Sequence, residues 1–138
     1  MIGALVLPAD LRAQLAAEAE AAFPKECCGL IEGVPEGEGQ RVTALHPTKN
    51  LAAAPDRFDI DPAEHIRLLR GLRGTGREII GCYHSHPGGA AEPSARDLAA
   101  AADEGFVWLI AAIPGEIAAF VFENGAFQAL ALKTGPLA

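Results

Sequence analysis

The sequence predicts an α/β fold, a single three-layer domain over residues 1–138 with a mixed β-sheet flanked by helices. Three observations carry this expectation. Helix-like and strand-like segments alternate through the first two thirds of the chain, in the order α-β-β-α-β-α, which calls for a sheet with helices packed against it. The final third is continuous β, broken by Pro114-Gly115 and by Asn124-Gly125, and Asn-Gly between two apolar runs is the best short-range hairpin signal. Half of the 138 residues are apolar and 21% are charged, which is the composition of a folded core, at the size of one domain.

The elements follow in order. Residues 8–23 place Leu11, Leu15, Ala19 and Phe23 at helical spacing, with Asp10, Glu18 and Glu20 outward as a solvated face, and Pro24 ends the helix. Residues 28–32 read as a short buried strand and 41–46 as its hairpin partner. The Gly/Glu-rich stretch 33–40 between them reads as an exposed turn. Residues 47–55 are irregular, and Phe58-Asp59-Ile60 alternates like a strand end. Asp61-Pro62-Ala63-Glu64 starts a helix: Asp61 can accept from first-turn amides, Pro62 needs no N–H there, and Glu64 can reach back as in a capping box. That helix is expected to bury Ile66 and Leu69, with Leu72 a further candidate, and to leave His65 exposed. Residues 78–83 form the next strand, Ser94 opens a helix that stops at Gly105, and three strands complete the chain.

Charge and cysteine content exclude several classes. Eleven Lys and Arg against 18 Asp and Glu leave a net charge of −7 with no basic run, a poor match to nucleic acid. The longest apolar stretch, residues 106–114, is about half of the ~18–20 residues a membrane span needs. The N-terminal residues lack the basic flank and cleavage site of a secretory signal and read as part of the fold. Three cysteines, two of them adjacent, argue against a disulfide framework and for a reducing, cytoplasmic location. Cys27, Cys28 and Cys82 read as inert packing. Trp108 and the phenylalanines Phe106, Phe120, Phe122 and Phe127 read as core or the surface of a possible homodimer.

The chemistry gathers elsewhere. Residues two apart on a strand share a face, so His84 and His86 project together from the end of their strand, and two neutral imidazoles side by side form a chelate. Asp97, in the first turn of the following helix, can face back towards that strand. Two His and one Asp would hold one tetrahedral Zn²⁺ and leave its fourth position to water, the pattern of a hydrolytic zinc site. Glu26, between the helix-ending Pro24 and the strand 28–32, is the candidate acid and base. Ser94 offers a hydroxyl for a developing oxyanion. Ser94-x-x-Asp97 is also a capping-box pattern, and both roles can coexist. His46 and His65 have no partner at metal spacing.

His84-x-His86, seven residues, Ser94, two residues, Asp97, with Glu26 upstream, resembles the signature of the JAMM (MPN-plus) zinc metalloproteases. The run Pro24-Lys25-Glu26-Cys27-Cys28-Gly29-Leu30 is similar to that family's Glu segment. The stretch from Asn50 to Pro62, with Arg57-Phe58-Asp59-Ile60-Asp61-Pro62, is similar to its small bacterial branch. The resemblance runs from about Leu7 to Val121. It implies a cytidine-deaminase-like fold and a zinc peptidase or isopeptidase, with His84, His86 and Asp97 as ligands, Glu26 as general acid and base, and Ser94 on the oxyanion side. It further implies, as substrate, the Gly-Gly tail of a ubiquitin-like or sulfur-carrier protein, since the chain is short for the insertions that position ubiquitin chains. Two rivals are a non-catalytic binding module of the same fold and a zinc hydrolase of small amides. Other zinc classes fit worse. A deaminase wants a Glu where His86 stands and a Pro-Cys-x-x-Cys pair, a metallo-β-lactamase wants Asp-His where Pro87-Gly88 stands, and no His-Glu-x-x-His is present.

Overall fold

The computed structural model describes residues 3–135, so Met1 and Ile2 of the N-terminal segment lie outside the described residues. The elements run β1 (Ala4–Val6), α1 (Ala9–Ala22), β2 (Cys28–Glu36), β3 (Gly39–Thr48), α2 (Pro62–Gly71), β4 (Glu78–Pro87), α3 (Ala95–Ala100), β5 (Val107–Ile113), β6 (Ile117–Glu123) and β7 (Ala126–Lys133). The mixed sheet and its helices are as expected. The sheet also closes on itself in the order β1-β3-β2-β4-β5-β6-β7, with β1 parallel to both β3 and β7. Closure removes the unpaired edges that an open sheet must protect. Three residues are too few to show a period, which is why the sequence pattern does not register β1.

Strand alternation divides the interior. Ile31, Leu45, Tyr83, Val107, Leu109 and Ala111 form one cluster with Leu15 and Ala19 of α1. Leu30, Cys82 and Trp108, on the opposite face, form another with Leu68 of α2. Every second residue of β4 thus serves a different layer. Tyr83 turns to α1, and Cys82 and His84 turn towards α2 and Trp108. Gly29 allows the Tyr83 ring to lie against β2, since a Cβ there would stand 2.3 Å from the ring's Cζ. The Asn124-Gly125 hairpin forms between β6 and β7 with both residues at positive φ, 53° and 77°, as a type I′ turn requires.

Several local expectations change. On α2, Ile66 and Leu69 are 49% and 45% exposed, and Leu68 is the buried residue. The stripe that meets the sheet is His65, Leu68 and Leu72, at helical spacing, with His65 half-buried near the Phe106 ring rather than exposed. Asp61 caps the helix through the Ala63 N–H, but Glu64 pairs forward with Arg67 and does not reach back. Phe23 is 54% exposed because it adopts an extended conformation at the end of α1 and leaves the helical stripe. Helix α3 ends at Ala100. Asp103 and Glu104 would oppose the negative end of its dipole, and Glu104 instead accepts the Asn124 N–H. Strands β2 and β3 extend through most of the expected turn, leaving Gly37-Glu38 at its tip.

Candidate metal centre and active site

His84 and His86 lie on β4 where it runs parallel to β5, opposite Ile110 and Ala112. The shared face predicted by their spacing brings Nε2 of each within 2.9 Å of the other. Asp97 stands at the N3 position of α3 and Ser94 at its N-cap. The capping box is complete, with Ser94 Oγ accepting the Asp97 N–H at 3.1 Å and Asp97 Oδ2 accepting the Ser94 N–H at 2.8 Å. The same Oδ2 lies 3.2 Å from Nε2 of both histidines. Capping therefore aims the carboxylate at the histidine pair, and the two roles share one geometry.

Those three atoms form a triangle with edges of 2.9, 3.2 and 3.2 Å. Donors bound to one tetrahedral ion at about 2.0–2.1 Å stand about 3.3 Å apart, so the triangle fits such an ion. The charge state fits as well. Burial lowers the proton affinity of His84, which is fully buried, and keeps its ring neutral. Asp97 is buried too, yet its hydrogen bonds with His84 and His86 and that from the Ser94 N–H hold its carboxyl well below the usual range. The hydrogen bond to Asp97 raises the proton affinity of His86, so a divalent cation would meet a neutral imidazole at His84 and a carboxylate that resists protonation at Asp97, and would displace the proton that His86 favours.

Glu26 reaches the same place from β2. The strand begins opposite His84, with Cys28 paired to it. Just before it, Cys27 N–H donates to Ser85 Oγ at 2.8 Å, and Cys27 C=O accepts the Ser85 N–H at 3.2 Å. Ser85, between the two histidines and fully buried, thus pins the backbone next to Glu26. A Glu26 oxygen comes within 4.8 Å of donor nitrogens of both His84 and His86. Burial pushes its carboxyl up to about 7. His86 pulls it down, while Asp97 and Asp56 add to the rise. Two cavities meet at Glu26 and Pro55. One, of about 290 Å³, contains His86, Ser94 and Asp56, and the other, of about 460 Å³, runs along Glu18, Cys27, Cys28 and Thr48. An exposed ion pair between Arg96 and Asp56, 2.9 Å, links α3 to the loop before α2.

The structure brings together all five site residues named from the sequence. Residues not named there also matter. Ser85 pins the Glu26 segment, Phe58 stacks on His84, and Asn50 joins the loop to Glu26; the family-like stretch from Asn50 to Pro62 signals the last two without giving their roles. Glu18 is not a purely solvated charge, because it accepts the Tyr83 hydroxyl at 2.7 Å and lines the larger cavity. Alternation of faces along the chain would place at most one of Cys27 and Cys28 near the site, yet both line the larger cavity beside Glu26. Burial pushes Cys27 up to about 11 and raises Cys28 and Cys82, so none is a ready nucleophile. Trp108 is internal, edge-on to Phe58, His84 and Phe127.

The family described as prokaryotic homologs of the JAB domain matches residues 8–123. A desampylase of Haloferax volcanii is 34% identical over 110 residues, which are 79% of this chain and 78% of that protein. A protein of Thermus thermophilus described as "Probable TtuB-protein conjugate cleaving protease" is 36% identical over 90 residues, 64% of this chain and 55% of its own length. A solution structure of a protein from Desulfitobacterium hafniense superposes with a TM-score of 0.81 at 28% identity, covering 96% of this chain and 94% of that one. Among the described residues no helix is long and apolar enough to cross a membrane.

Proposed function

The chain belongs to the family of prokaryotic JAB-domain homologs, and from that premise we propose that it is a zinc-dependent isopeptidase that hydrolyses the amide at the C-terminal Gly-Gly tail of a ubiquitin-like or sulfur-carrier protein. The names of its desampylase and conjugate-cleaving relatives support the substrate class. The observation that carries the reading is the triangle of His84, His86 and Asp97 with Glu26 beside it. Residues 1–138 act as one catalytic domain in this reading.

His84, His86 and Asp97 would hold the zinc. When bound, the ion supplies Lewis-acid polarisation of the scissile carbonyl and makes water a competent nucleophile near neutral pH. Glu26 lies in the same cluster but differs from Asp97 in its proton affinity. A carboxyl that titrates near 7 can take a proton from the attacking water and return it to the departing amine nitrogen. Asp97, which stays charged, suits the ligand role. The Ser94 hydroxyl already accepts the Asp97 N–H through its oxygen, so its own hydrogen can be donated to the oxygen that gains charge on the acyl carbon. The two cavities that meet at Glu26 give room on either side of it for the acyl tail and for the departing amine.

Metal analysis and a cleavage assay test this together. Purified protein should carry about one zinc per chain and release a Gly-Gly-tailed carrier from its conjugate. Glu26→Gln should keep the zinc and lose about 10²–10⁴-fold in turnover. Absence of zinc, or undiminished cleavage by Glu26→Gln, sinks the mechanism. Turnover of short acyl-amino acids but not of a folded carrier's tail would replace the substrate.

A further inference from the structure

Asn50 opens the irregular loop between β3 and α2, and both ends of its carboxamide are fully engaged. Nδ2 donates to the Glu26 carbonyl at 3.1 Å and to the Arg57 carbonyl at 3.0 Å. Oδ1 accepts the N–H groups of Ala52 at 2.9 Å and Asp59 at 3.0 Å. A backbone bridge from Asn50 to Ile60 and a bond from Leu51 N–H to Asp59 C=O close the loop beside it. One side chain therefore joins the peptide of Glu26 to both arms of the loop.

Phe58 sits between the two residues gripped on the far arm. Its ring stacks on His84 with centroids 4.3 Å apart and planes 19° apart, and Trp108 meets both rings edge-on at 5.8 Å. His84 Nδ1 has no hydrogen-bond partner among the described residues. The orientation of this imidazole is thus set on one side by aromatic contact, where a ligating histidine usually has a carboxylate or carbonyl.

We infer that Asn50 is a positioning residue that, through Phe58 and the Glu26 peptide, fixes the Glu26 carboxylate relative to the His84 ring. This rests on reading Glu26 as the base and His84 as a ligand. Asparagine suits the task because it alone among small side chains offers two donors and an oxygen with two lone pairs in one plane. A displacement of about 1 Å between such groups costs as much as ~10²-fold in rate.

Asn50→Asp keeps the shape and the two accepted bonds but loses both donated ones. On the tailed-carrier conjugate, its kcat should fall about 10–100-fold while KM and zinc content change little. The thermal midpoint should fall only as far as the loss of two donors and the carboxylate facing two carbonyls require, with the chain still folded at the assay temperature. Phe58→Leu should lower kcat similarly, and the double variant should fall less than the sum of the two. In the metal-free protein, the His84 ring-proton resonances, shifted upfield by Phe58, should move downfield in Asn50→Asp. Wild-type kcat and unmoved His84 resonances would overturn the inference, as would a fall in kcat matched by lost zinc or lost folded protein. If Asn50→Asp does not fold, Asn50→Ser, which keeps one donor, is read by the same criteria. A wild type that cleaves nothing while the His84 resonances move would sink the hydrolase reading and leave the positioning role standing. A wild type that cleaves and loses cleavage in Glu26→Gln, yet ignores Asn50→Asp, would do the reverse.

Discussion

Two clusters that pair a buried carboxylate with imidazole lie at different places on the sheet, one on β2 and β3 and the other on β4 and α3, and they behave in opposite ways. At one, Glu32 accepts from Thr43 Oγ1 and from Arg77 Nη1 at 3.2 Å, and its other oxygen meets His46 Nε2 at 3.0 Å. Burial works against the charge on Glu32, but these partners outweigh it and lower its proton affinity. Each oxygen there faces a donor. At the other, His84 Nε2, His86 Nε2 and Asp97 Oδ2 face one another, and once the ring hydrogens that Asp97 accepts give way to a cation, all three present lone pairs to one point. The residue types are nearly the same. A cluster in which acceptors meet donors is a structural knot, and one in which acceptors converge calls for a cation.

The sharpest way to break the contrast is to remove one carboxylate from each cluster. Asp97→Ala should abolish stoichiometric zinc and lower cleavage by at least ~10³-fold, read by metal analysis and turnover. Glu32→Gln should leave zinc content and kcat unchanged. If Glu32→Gln removed the metal, the two clusters would not be the separate devices described here.

Glu32→Gln should instead show in stability, by about 2 kcal/mol at pH 7, through the loss of charge-assisted bonds in a buried place. The sign with pH follows from its lowered proton affinity. The contribution is present above the unfolded-state value of about 4.3 and is lost as pH falls through the lower folded-state value. The gap between wild type and Glu32→Gln, measured by urea unfolding, should therefore close in acid.

Glu26 should give the opposite slope in the metal-free protein. Its carboxyl is raised to about 7, so ionising it costs the folded state increasingly from about pH 4.3 to 7 and by a constant amount above that. Glu26→Gln should consequently stabilise the zinc-free chain by about 2 kcal/mol at pH 8 and by little at pH 4. Equal effects at both values would show that Glu26 is not held in a desolvated state. Activity loss accompanied by higher stability marks a residue strained for function.

How far each cluster can be read from the sequence depends on how local its geometry is. The strand period places His84 beside His86, and Ser94-x-x-Asp97 announces a cap that also aims a carboxylate, so the convergent cluster is legible. The hairpin at Asn124-Gly125 and the end of α1 before Pro24 are legible for the same reason. Glu32 with His46 is not, because their meeting needs the register of β2 on β3, including a bulge between Glu32 and Gly33. Nor is β1, whose partners lie at distant points of the chain. The rotation of α2 fails from too much signal: Ile66, Leu68, Leu69 and Leu72 allow more than one apolar stripe, and only the sheet beneath selects Leu68 with His65.

The smallest effect expected lies closest to the site. Cys27 follows Glu26 directly and lines the larger cavity, and a reader of composition alone could take it for a nucleophile. Two physical facts oppose that. Burial keeps its thiol protonated up to about pH 11, whereas a nucleophilic cysteine needs a lowered value and a base beside it. Its contribution to the site is through its backbone, which holds Ser85 by two hydrogen bonds whatever the side chain. Cys27→Ala should therefore keep kcat within about twofold at pH 7, and iodoacetamide should inactivate the wild type no faster than it inactivates Cys27→Ala. Ser85→Ala should cost more, because it removes the hydroxyl that accepts the Cys27 N–H and loosens the segment carrying Glu26. If instead Cys27→Ala were the more damaging of the two, the thiol would belong to the catalytic chemistry, and the backbone role given to this position would be wrong.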